Sequence, residues 1–62
     1  MKRILRGETM EVYITQSGLQ IGNGRLEAIP RIGDKLFIND INFIVIDVVW
    51  HIGISSWVEI KI

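Results

Sequence analysis

His51 is the only histidine in the chain, and there is no cysteine. One imidazole without thiolates is too little for a structural zinc site, and with no thiol there is neither a disulfide nor a cysteine nucleophile. What remains for acid–base work is His51, the carboxylates of Asp34, Asp40 and Asp47, and scattered hydroxyls. Catalysis needs such groups to converge, and their spacing along the chain shows no convergence. Asp47 stands out because it lies between Val45 and Val49 in an apolar run, where a buried carboxylate would need a partner. At a strand bend or barrel rim that partner is expected to be a turn, or an arginine such as Arg25 or Arg31. His51, at the end of the same run, is expected on the surface or packed against a loop. No catalytic, cofactor-binding or metal-binding residue is expected, and the chain reads as a non-enzyme.

Gly22-Asn23-Gly24 has the look of a phosphate-cradling loop, since glycines let backbone amides approach an anion closely. A dinucleotide fingerprint would continue to a third glycine and open a helix. Here position 27 is Glu, and Pro30 leaves no room for a helix. The run is expected to be a turn ending a short strand, Leu19–Ile21.

Charge excludes further classes. Seven Lys and Arg balance seven Asp and Glu, so no global field draws in nucleic acid or an anionic membrane. The balance is uneven: Lys2, Arg3, Arg6, Arg25 and Arg31 make the first half mildly basic, and Asp34, Asp40, Asp47 and Glu59 make the second mildly acidic. No apolar run approaches the roughly 20 residues of a membrane span, and no signal-peptide core is visible, so a cytoplasmic protein is expected.

These groups are positioned by strands. Ile41–His51 holds the densest run of β-branched and aromatic residues and is expected to be the central strand, apolar on both faces. Asn39-Asp40 before it predicts a two-residue hairpin loop that sets Ile38 opposite Ile41, Phe37 opposite Asn42 and Leu36 opposite Phe43. Met1–Gln16 reads as one long strand or two short ones with a bulge or bend at Gly7; in it Met10, Val12 and Ile14 alternate with Glu11, Tyr13 and Thr15, the pattern of a strand with one wet face, and Ser17-Gly18 predicts a turn after it. Leu26 and Ile29 are expected to reach the core, and Pro30–Asp34 to form a turn. Ser56–Ile62 should run back beside the central strand as an edge or closing strand, with Val58, Ile60 and Ile62 on one face and Trp57, Glu59 and Lys61 on the other. The whole is one small β domain, residues 1–62: an all-β fold, either a small antiparallel sheet or an SH3-like barrel of about five strands.

Pro30–Trp50 has the form P-x-x-G-D, a short strand, a tight turn, then an aromatic followed by alternating β-branched residues ending in Trp. It resembles the hairpin of SH3-like small β-barrels and is similar to short proteins encoded by bacteriophages and their bacterial hosts. The resemblance covers about a third of the chain and implies an all-β fold in a phage or bacterial accessory protein. It carries no site residues.

At 62 residues with no disulfide, a lone domain of this kind is marginal, because only about 60% of its unfolded surface is buried on folding. Placing Trp50 opposite Trp57 puts Leu36, Ile38, Phe43, Val45, Val49, Val58, Ile60 and Ile62 on a core face. A second face then holds Phe37, Ile44, Ile46, Val48, Trp50 and Trp57, which is too apolar to leave in water and is the expected interface. The functional expectation is a small protein-binding module that self-associates as a homodimer, in the setting of a phage-encoded inhibitor or modulator of a host antiviral protein. The alternative is a nucleic-acid-binding small barrel that stacks bases on Tyr13, Phe37, Trp50 and Trp57, against which stands the shortage of basic residues beside them.

Overall fold

A computed structural model describes residues 8–62, so the bend expected at Gly7 and the part of the first strand expected over residues 1–7 lie outside the described residues. The fold is all-β, with strands β1 (Met10–Gln16), β2 (Leu19–Leu26), β3 (Lys35–Ile38), β4 (Ile41–Ile44), β5 (Asp47–His51) and β6 (Trp57–Lys61). Four of them form a mixed sheet in the order β2-β1-β6-β5, while β3 and β4 form a separate hairpin, and the strands do not close into a barrel. Among the described residues no helix is long and apolar enough to cross a membrane.

The two tight hairpins are set by residues that accept the left-handed backbone region. Ser17 and Gly18 have φ of 52° and 80°, and Asn39 and Asp40 have φ of 49° and 65°, as two-residue loops matching the twist of flanking strands require. The second loop delivers the predicted register, Ile38 opposite Ile41, Phe37 opposite Asn42 and Leu36 opposite Phe43. Ahead of β3, the Asp34 amide donates to the Arg31 carbonyl at 2.9 Å, closing a turn in which Gly33 takes a φ of 93°. The Asp34 carboxylate caps the same turn, accepting from the Arg31 amide at 2.8 Å.

The expected central strand 41–51 is two strands. Val45 N–H donates to Asp34 O at 2.9 Å and Val45 O accepts from Gly33 N–H at 2.8 Å, whereas the next amide, Ile46 N–H, donates to Lys61 O at 2.8 Å. Consecutive residues therefore bond to different layers, and the chain steps from the hairpin to the sheet between them. The step also changes parity. Phe43 and Val45 face the core before it, and Val48 and Trp50 face the core after it. A run that is apolar on both faces is thus a chain changing layers, each half presenting one apolar face to a single core.

Two other expectations are corrected. β2 does not stop at Ile21 but continues through Gly22-Asn23-Gly24 to Leu26, pairing with β1 throughout and absorbing one irregularity opposite Ile14/Thr15. β6 is not an edge: it lies between β1, to which it is parallel, and β5, to which it is antiparallel. Its central position explains why Val58 and Ile60 are completely buried. With Val12, Val45 and Ile62 they form the core, against which Met10, Ile14 and Leu26 pack from the sheet, Ile29 from the linker, and Leu36, Ile38 and Phe43 from the hairpin. Burial of each such side chain stabilises the fold by about 1.5–3 kcal/mol. The hairpin is a lid over one face of the sheet, which leaves two outward surfaces, the far side of the hairpin and the far side of the sheet.

Candidate functional site

The far side of the hairpin carries two of the six predicted interface residues, Phe37 and Ile44, and a third, Ile46, lies on the step from the hairpin to the sheet. Lys35 pairs with Ile44 and Phe37 with Asn42, so Phe37 and Ile44 are diagonal neighbours on the side facing away from Leu36 and Phe43. Phe37 is 66% exposed, Ile44 56% and Ile46, just beyond the hairpin, 63%. Large side chains this open are unusual when several come from one short segment.

The other three predicted interface residues lie elsewhere. Val48 and Trp50 pack against the core. The expected pairing of Trp50 with Trp57 is off by one residue: Trp50 faces Val58 and His51 faces Trp57. Trp57 consequently belongs to the far side of the sheet, and the expected second face does not exist as a single surface. Val49, assigned to the core by the same expectation, pairs with Glu59 on the far side.

That far side is built in rows. Glu11 lies opposite Arg25 on one side and Trp57 on the other, with His51 beyond Trp57; Tyr13 and Glu59 occupy the next row, and Thr15, Lys61 and Asp47 the one after. The indole of Trp57 stacks on the His51 ring, with centroids 3.8 Å apart and planes 5° from parallel, and meets Tyr13 edge to face at 5.1 Å. Tyr13 donates its hydroxyl proton to Glu11 Oε1 at 2.5 Å, and Thr15 donates to Glu59 Oε2 at 2.8 Å. The second oxygens are less engaged: Glu11 Oε2 is 3.8 Å from Arg25 and Glu59 Oε1 is 3.9 Å from His51 Nε2, both too long for hydrogen bonds. His51 Nε2 has no hydrogen-bond partner among the described residues. Arg25 is held instead by Thr9, donating to its hydroxyl at 2.9 Å and its carbonyl at 3.3 Å.

Glu11, Tyr13, Thr15, Trp57 and Glu59 line a depression of about 480 Å³ on the β1 side of Trp57, together with Gln20 and Ser55. Tyr13 holds its proton more tightly than a free tyrosine, first because its hydroxyl bonds to Glu11, then through partial desolvation and the charge of that carboxylate. At neutral pH it is therefore a fixed donor, and Glu11 is oriented by it.

Sequence spacing brings none of this together. Glu11, Tyr13 and Thr15 are visible as one wet face of β1, but their neighbours on β6 follow from a parallel pairing that no local pattern announces. Asp47 is exposed, not buried. Its carboxylate accepts from the amide of the next residue in the strand, Val48, at 2.9 Å, in place of the turn or arginine expected as its partner. The Arg25 side chain is held by Thr9, and Arg31 meets Asp34 through its backbone amide. The four aromatics of the proposed base-stacking platform are likewise divided: Tyr13 and Trp57 share the sheet's far side, Phe37 is on the hairpin and Trp50 packs on the core. Among the described residues no group of three or more His, Cys, Asp and Glu side chains is placed to hold a metal ion.

The fold and its surfaces define a small all-β chain in which a mixed four-stranded sheet is covered on one side by a hairpin. No known protein family, curated protein or solved structure matches it.

Proposed function

We propose that this chain is a non-enzymatic protein-binding module whose contact surface is the far side of the β3–β4 hairpin together with Ile46 on the step that follows it, and that its first partner is a second copy of itself. The observation that carries the reading is the exposure of Phe37, Ile44 and Ile46 on one short segment, which no part of the described chain covers. A small domain without disulfides gains from burying such a surface against a copy. In the setting that the Pro30–Trp50 pattern suggests, a phage or bacterial accessory protein, a host target would compete with the second copy for the same face. Nucleic-acid stacking is the weaker reading, because the aromatics that share a surface, Tyr13 and Trp57, stand beside Glu11 and Glu59, whose charge repels phosphate.

Sedimentation across a wide concentration range tests the proposal. Wild-type chain is expected to pass from monomer to dimer, while Ile46→Asp, which would strand a charge in the contact, stays monomeric with an unchanged fold. A wild-type chain that remains monomeric at the highest concentrations would sink the self-association, as would a dimer indifferent to Ile46→Asp.

A further inference from the structure

The far side of the four-stranded sheet lies across the core from the hairpin, so what it binds is independent of the contact proposed above. Of the side chains lining its depression, the charged ones are Glu11 and Glu59, both carboxylates, and they flank the aromatic pair Tyr13 and Trp57. His51 covers one face of the Trp57 indole, and the depression lies toward β1, where Tyr13, perpendicular to the indole at 5.1 Å, forms one of its walls. Each carboxylate spends one oxygen on a neighbouring hydroxyl, which fixes its orientation, and keeps the other free of hydrogen bonds to the protein.

We propose that this depression binds an arginine side chain of a partner protein, its guanidinium stacked against Trp57 and its N–H groups donating to Glu59. The chemistry selects arginine among cations. A guanidinium is planar and weakly hydrated, so it stacks on an indole face while its edge hydrogen-bonds a carboxylate; an ammonium does the second but not the first. The Glu59 end is favoured over the Glu11 end because Arg25 already stands near Glu11 and screens it, whereas Glu59 has only the His51 ring beside its free oxygen. Lys61 and Asp47 lie one row further out and offset each other.

The test uses blocked tripeptides, Gly-Arg-Gly, its lysine counterpart and its neutral citrulline counterpart, titrated into the full chain at neutral pH and followed by NMR. The arginine peptide is expected to shift the Trp57 indole and Tyr13 ring resonances saturably, binding more tightly than the lysine peptide, with the citrulline peptide weakest. Two variants should move affinity in opposite directions. Glu59→Gln, which keeps an acceptor for Thr15, weakens arginine-peptide binding about fivefold, and Arg25→Gln, which removes the competing cation, tightens it about twofold. Equal binding of the arginine and citrulline peptides would overturn the proposal. So would shifts confined to Phe37 and the hairpin, an absence of saturable shifts in wild type and Arg25→Gln alike, or a Glu59→Gln variant that is folded by its spectrum and binds as wild type does.

Discussion

At the scale of single residues, Tyr13 and Glu11 make the sharpest statement. A phenol donating to a carboxylate loses that bond on ionisation and acquires a neighbouring like charge, so its folded pKa lies above the ordinary value of about 10. The sign of the linkage follows. A folded pKa above the unfolded one contributes stability that is fully present below the unfolded value and is lost as pH rises through the folded value, so the effect is confined to alkaline solution. Because Tyr13 is the only tyrosine, phenolate absorbance reads it directly. The native chain is expected to ionise above free tyrosine and Glu11→Gln to bring the midpoint down; a midpoint unchanged by Glu11→Gln would remove Glu11 as the cause. Some residue placements are legible from sequence and others are not. The alternation of Met10, Val12 and Ile14 with Glu11, Tyr13 and Thr15 predicts their faces, and the structure has them there. Asp47 carries the contrary lesson. Strict alternation from Phe43 and Val45 would put its carboxylate in the core, and that conflict is the one local sign that the strand breaks.

At the scale of elements, the hairpin was readable because its determinants are local. Asn39 and Asp40 both accept a positive φ, and the pairing of β3 with β4 follows from the loop length alone. The same logic gives a prediction. Asp40 sits at a φ of 65°, which glycine enters without steric cost, aspartate tolerates at a small one and a β-branched residue scarcely adopts, so Asp40→Gly should hold or slightly raise stability, by up to about 1 kcal/mol, while Asp40→Val should lower it by about 1–2 kcal/mol. Denaturant midpoints compare the three chains, and a glycine variant less stable than wild type would show that the Asp40 side chain supplies more than its backbone strain removes. Elements defined by distant partners were not readable. β6 shows the alternation of a half-buried strand, with Val58, Ile60 and Ile62 inward, and that much is correct. Nothing in its residues tells that a strand from the other end of the chain runs parallel beside it. For β2, the glycines of Gly22-Asn23-Gly24 suggested a stop, yet an edge strand tolerates them where pairing with β1 continues.

At the scale of the whole molecule, the small core decides how the chain responds to change. A domain of 62 residues has a stability of about 3–9 kcal/mol. Ile60 is completely buried at the centre of the sheet, and truncating such a side chain to alanine costs about 2–5 kcal/mol, roughly half of that stability, so Ile60→Ala is expected to lower the denaturant midpoint followed by circular dichroism to about half the wild-type value. Ile46→Asp should behave in the opposite way, because Ile46 touches water and its amide bond to Lys61 does not involve the side chain. Association adds a second term. Anything that binds the folded form alone stabilises it by mass action, so a chain that pairs through the hairpin's far side must unfold at higher denaturant as its own concentration rises. Wild type is expected to show that rise. Ile46→Asp is expected to lose it while matching wild type in the dilute limit, where both are monomers. If instead Ile46→Asp were several kcal/mol less stable at every concentration, Ile46 would belong to the structural core and the hairpin face would cease to be a contact surface; if wild type showed no rise, the exposed Phe37, Ile44 and Ile46 would be waiting for a different partner.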